Sequence, residues 1–126
     1  NMMINSPVYY RLTNLNFYIS NDVDKLFEFN IDNGVVILDN INIHSYLEFK
    51  VKYIFKITKI KKLVIKNSLL IGVNLIDINN NDSKVIISNC YINTNIRSFK
   101  NLVLYNNVIK KRDDFQLIIN TQNLFI

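Results

Sequence analysis

Apolar residues alternate with polar ones through much of the chain, and in several places the alternation breaks in the same way. Phe99, Leu102, Leu104, Asn107 and Ile109 fit a frame written L-x-x-L-x-L-x-x-N-x-L, and so do Ile60, Leu63, Ile65, Ser68 and Leu70. Without its first apolar position the frame recurs at Val85, Ile87, Cys90 and Ile92, and at Leu117, Ile119, Gln122 and Leu124. A poorer copy lies at Val35, Ile37 and Asn40, with Leu47 and Phe49 starting another. Each L-x-L pair predicts a short strand with two inward side chains, because successive residues of a strand face opposite ways. The polar residue three positions later then turns the chain, and its side chain bonds backbone groups that the turn leaves unpaired. On this reading Leu63, Ile65, Val85, Ile87, Leu102, Leu104, Leu117 and Ile119 are buried in adjacent parallel strands.

Helix signals are weak elsewhere, since Ala is absent and β-branched residues dominate the apolar set. The best helical stretch is "SNDVDKLFEF", where Ser20, Asn21 or Asp22 can cap and the early acids suit the positive end of a helix dipole. "FKVKYIFKITKIKKL" reads as strand to about Ile57, with an amphipathic helix as the alternative.

The recurrent frame resembles the leucine-rich repeat family, well over residues 60–126 and poorly over 30–60. Asn107 carries the family's usual turn residue and Cys90 a known substitute, whereas Ser68 and Gln122 depart from it. Strand starts at 63, 85, 102 and 117 are spaced by 22, 17 and 15 residues, against about 20 to 29 in the family. The resemblance implies a mainly β solenoid with short irregular returns and a protein-binding role. A parallel β-helix fits the short returns as well, and a β-sandwich of loosely spaced strands remains the third architecture. With 126 residues the chain is read as one domain, less regular over 1–59 and repeat-like over 60–126.

In a solenoid the residues between the inward pairs face outward. Val64, Ile86, Val103 and Ile118 then form an apolar line, flanked by Lys62, Lys84, Asn101 and Gln116 on one side and by Lys66, Ser88, Tyr105 and Asn120 on the other. An apolar line with polar margins is read as a protein-binding surface. The alternative is that loops or a second sheet bury both faces.

Charge adds a second candidate. Residues 1–48 carry two basic and six acidic side chains, whereas 49–126 carry thirteen and four, giving the net +5. Lys50, Lys52, Lys56, Lys59, Lys61, Lys62 and Lys66 form a run without an acid, and Lys110, Lys111 and Arg112 a second cluster. Such density suits phosphate contacts and raises RNA as a partner, as for a ribosome-associated or organellar ribosomal protein. The alternative is a solvated edge guarded by Lys against strand pairing.

Ile and Asn make up about a third of the chain and Gly, Pro and Arg are scarce, a bias that points to an AT-rich genome. No run approaches the eighteen apolar residues of a membrane span, and the start "NMMINSPVYYRLTN" lacks the features of a signal peptide. With Cys90 alone no internal disulfide forms, which suits an intracellular location, cytoplasm or organelle. The Asn81-Asp82-Ser83 sequon is read as chance in so Asn-rich a chain.

Catalytic groupings are sparse. His44 is the single histidine, so no His-based metal site forms within the chain, and a Cys90–His44 pair is left open. "HSYLEF" is read as a strand edge and Asp113-Asp114 as a turn. The sequence therefore predicts a non-enzymatic interaction module without cofactor or small-molecule substrate, serving a larger assembly, with RNA contact as the alternative.

Overall fold

The computed structural model describes residues 8–45, 50–78, 82–97 and 101–110, and the backbone of 117–118. Its elements are β1 (Val8–Ile19), β2 (Val23–Asn30), β3 (Gly34–Ser45), β4 (Val51–Lys59), β5 (Lys62–Lys66), β6 (Leu69–Ile78), β7 (Lys84–Ser88), β8 (Tyr91–Arg97), β9 (Leu102–Tyr105), β10 (Val108–Ile109) and β11 (Leu117–Ile118). All of them pair in parallel, so the chain is a β-solenoid. Parallel pairing throughout excludes the antiparallel β-sandwich.

Three stacks build the walls. The first joins the start of β1, the start of β3, β5, β7 and β9. The second joins the later halves of β1 and β3 to the start of β6, β8 and β10. The third joins β2, β4, the end of β6, the end of β8 and β11. Each coil thus visits the first, second and third wall in turn. Register pairs Val8–Gly34, Val35–Lys62, Lys62–Lys84 and Val85–Leu102 give successive repeats of 26, 27, 22 and 17 residues.

The corner between the first two walls has a local cause. Asn14, Asn40, Asn67, Asn89 and Asn106 occupy equivalent places one coil apart, each with φ between 53° and 59°. A left-handed residue lets an extended chain bend sharply, and Asn tolerates that conformation better than any residue with a longer or branched side chain. The next residue of each coil, Leu15, Ile41, Ser68, Cys90 and Asn107, turns inward. Ser68 Oγ accepts from Ile41 N at 3.0 Å and donates to Lys66 O at 2.8 Å. Asn107 Nδ2 donates to Ile87 O at 2.8 Å, and its Oδ1 accepts from Cys90 N at 2.9 Å. Polar groups at the bend are therefore paired between coils, as buried backbone demands.

The core fills the bore. Leu63, Ile65, Val85, Ile87, Leu102 and Leu104 are all at most 1% exposed, in adjacent parallel strands as the frame predicts. Phe17, Phe27 and Phe55 pack ring to ring nearer the start, with centroids 5.4 Å and 5.5 Å apart. A Cβ on Gly34 would clash with the Ile31 side chain at 2.5 Å, whereas one on Gly72 would meet Ile54 at 3.0 Å, a tight contact that its side chain would have to relieve.

Three expectations are corrected. The stretch read as a helix is strand β2, whose Phe27 and Phe29 pair with Phe55 and Ile57 of β4. The copy at Val35 and Ile37 slips by one: Val36 and Leu38 face inward beside Leu63 and Ile65. The copy at Leu117 lies on the third wall, where Leu117 pairs with Ile96, and does not continue the Leu63–Val85–Leu102 column. Ile119, Gln122, Leu124, Leu47 and Phe49 fall outside the described residues.

Candidate functional site

The outer side of the first wall carries the apolar line. Val64 pairs with Ile86 and Ile86 with Val103, so the three stack across neighbouring strands, partly exposed while the residues on either side are buried. Ile37 extends the line by one strand and Arg11 ends it. Sequence reasoning missed both because it placed Ile37 inward. Ile118 does not join: it pairs with Arg97 on the third wall, since the last coil reaches position 117 only after passing the second. Gln116 and Asn120 lie outside the described residues.

One margin of the line is Lys62 and Lys84, adjacent in register, with Asn101 next. The other is Asp39, Lys66, Ser88 and Tyr105, again one residue per strand. Tyr105 is 56% exposed at the end of that row. Asp39 is already engaged, 3.3 Å from Arg11 Nη2 and accepting from Asn67 Nδ2 at 3.0 Å.

The lysine run does not form one surface. Lys50, Lys52, Lys56 and Lys59 belong to the third wall, whereas Lys61, Lys62 and Lys66 belong to the first. Third-wall lysines stand opposite the acids of the preceding coil. Asp22 Oδ1 accepts from Lys50 N at 2.9 Å, Asp24 lies across from Lys52, Glu28 pairs in register with Lys56, and Asp32 lies 3.3 Å from Lys59 Nζ. Asp22, Asp24, Lys50 and Lys52 line one shallow surface depression. The signal was present in the sequence as an offset of 27 or 28 residues between each acid and its lysine, invisible until the coil length was known. Lys110 is exposed on the second wall after β10, and Lys111 and Arg112 lie outside the described residues.

Cys90 and His44 do not meet. The thiol is buried at the corner, donating to Ser88 O at 3.2 Å, and burial pushes its pKa up to about 11. His44 faces outward on the second wall, stacked on Tyr18 at 4.8 Å, with Nε2 3.4 Å from Asn16 Oδ1. Asp113 and Asp114 lie outside the described residues, as does Glu48. Among the described residues no helix is long and apolar enough to cross a membrane. No protein-family model, curated protein or solved structure matches the chain.

Proposed function

We propose that the chain is a non-enzymatic interaction module of leucine-rich-repeat type, a subunit or accessory of a larger assembly, that binds a protein partner on the outer side of the first wall. The observation that carries this reading is the apolar line Val64–Ile86–Val103, in register across three strands and partly open to solvent. Inward residues of the same strands already supply the core, so outward Val and Ile are not needed to close the solenoid. Grouped apolar area on an outer face costs solubility unless a partner covers it.

RNA contact takes second place. Lys59 is ion-paired with Asp32 one coil earlier, and Lys50, Lys52 and Lys56 lie in register with Asp22, Asp24 and Glu28, which lowers the positive potential they offer a phosphate chain. Lys61, Lys62, Lys66 and Lys84 remain as its footprint.

The test compares two sets of substitutions in one protein. Replacing Val64, Ile86 and Val103 by Ser is expected to remove proteins that co-purify stoichiometrically with the native chain, while thermal unfolding stays cooperative. Replacing Lys61, Lys62 and Lys84 by Gln is expected to weaken that complex without abolishing it, since the apolar line is untouched. If RNA co-purifies instead, and its salt dependence flattens by about one unit of log–log slope per lysine replaced, the second reading takes over.

A further inference from the structure

We propose that the segment seated on the first wall is an amphipathic helix with an acidic flank, lying along the solenoid axis with its apolar edge on Ile37, Val64, Ile86 and Val103. This rests on the reading of that wall as a protein-binding surface and names the chemistry of its partner.

Charge complementarity fixes the sign. Elsewhere the acids of one coil oppose the lysines of the next, but Lys62 and Lys84 are neighbours of each other, with Val35 and Asn101 beyond them. The ion pairs among the described residues are Arg11–Asp39, Lys25–Glu28 and Lys59–Asp32, and none of these three involves Lys61, Lys62, Lys66 or Lys84. The acid on the opposite margin, Asp39, is held by Arg11 and Asn67. The wall therefore presents an apolar ridge beside two adjacent ammonium groups that take no part in those ion pairs. Like charges one strand apart repel, and an anionic partner relieves that cost on binding.

Spacing fixes the shape. Val64, Ile86 and Val103 sit on successive parallel strands, so the ridge repeats at the strand separation, about 4.8 Å. An α-helix laid along the axis repeats its face about every 5.4 Å, and over two intervals the mismatch is about 1 Å. An extended segment in the same direction repeats same-side residues about every 6.8 Å, and its mismatch over two intervals is about 4 Å. A helix keeps step with the ridge and a strand does not. Glutamates one turn apart on one side of that helix then reach Lys62 and Lys84 together, while leucines at i, i+4 and i+7 meet the ridge.

The test uses four fluorescent peptides of equal length: a helical peptide with a Leu edge and a Glu flank, the same peptide with Lys in place of Glu, a scrambled peptide of the acidic composition, and polyglutamate. Fluorescence anisotropy against the full chain is expected to rank the acidic helix at least tenfold above the other three. Lys62→Glu with Lys84→Glu is expected to invert the preference between the first two, and Val64→Ser with Ile86→Ser to weaken the acidic helix at least tenfold. Unchanged melting temperatures for both double variants, each confined to partly or fully exposed outer positions, separate lost binding from lost fold. Equal binding of the acidic and basic helices, both weakened by the Ser changes, overturns the acidic partner but leaves the wall a binding surface. Binding indifferent to the Ser changes overturns both. Scrambled peptide or polyglutamate binding as well as the helix reduces the site to unspecific charge and overturns the proposal, as does absence of binding by any of the four.

Discussion

Asparagine carries the corner because two different demands fall on adjacent residues. The first residue of the bend must sit at positive φ in solvent, and the second must turn inward and pair backbone groups of a neighbouring coil. In "LYNNVI" the two roles follow one another, with Asn106 at φ 53° and Asn107 bonded to Ile87 O and Cys90 N. Asn107→Ala leaves a donor and an acceptor unpaired in the corner and is expected to cost about 1–3 kcal/mol, seen as a lower midpoint in urea at unchanged slope. Loss of less than about 0.5 kcal/mol would show water replacing the amide. The equivalent place in the previous coil is Cys90, whose pKa is raised to about 11 chiefly by burial, against the lowering effect of the Ser68 and Ser88 backbone groups. A raised thiol pKa means the neutral form is favoured in the fold. Its contribution to stability is complete below the ordinary value of 9.0 and is lost as pH rises through about 11. Two outcomes follow: a thiol reagent at pH 8 reacts no faster than the protein opens, and the melting temperature falls between pH 9 and 11 more in the native chain than in Cys90→Ser. Immediate modification of the folded chain would contradict the burial.

At the scale of the strand, the sequence was most legible where a short apolar triplet is bounded by polar residues. "KLVIK", "KVIIS" and "NLVLY" each have a polar residue on both sides of the inward pair, so their phase is unambiguous and their six inward residues lie in the core. "GVVILDN" is apolar at both phases, and there the frame slipped by one. Its phase is set by Asn40 at the corner, a long-range consequence that local alternation does not encode. The false helix has a similar origin. Ser20 and Asp22 resemble caps, but Phe27 and Phe29 are strand formers, and parallel pairing with β4 decides the matter. Likewise the basic run looked like a patch only until the coil length placed the acids opposite it. Asp32 and Lys59 are the pair to test, since both are exposed and 3.3 Å apart. Asp32→Lys is expected to destabilise by up to about 1 kcal/mol at low salt, and Lys59→Asp in the same chain to restore most of the loss. In 1 M salt the difference should vanish. Additive effects of the two changes, with no rescue, would mean that the opposition of charge between coils contributes nothing to register.

The whole molecule is a stack in which each coil is stabilised by its neighbours, so position along the axis governs the cost of an equivalent change. Tyr10 and Leu12 of β1 occupy the inward columns of Val36 and Leu38, yet they are 47% and 40% exposed where the latter are 2% and 0%. Leu12 and Leu38, the same side chain one repeat apart, therefore meet two environments. Leu38→Ala removes fully buried methyl groups between two coils and is expected to cost about 2–5 kcal/mol, whereas Leu12→Ala, with part of its surface already wet, should cost less than half as much. Native-state hydrogen exchange should follow the same gradient, with amides of β5 and β7, paired on both sides, slower than those of β1, which among the described residues pairs with β3 alone. If Leu12→Ala proves as costly as Leu38→Ala and its cost grows with protein concentration, β1 is covered in solution by another strand, because only an added neighbour can make the outer rung behave like an inner one.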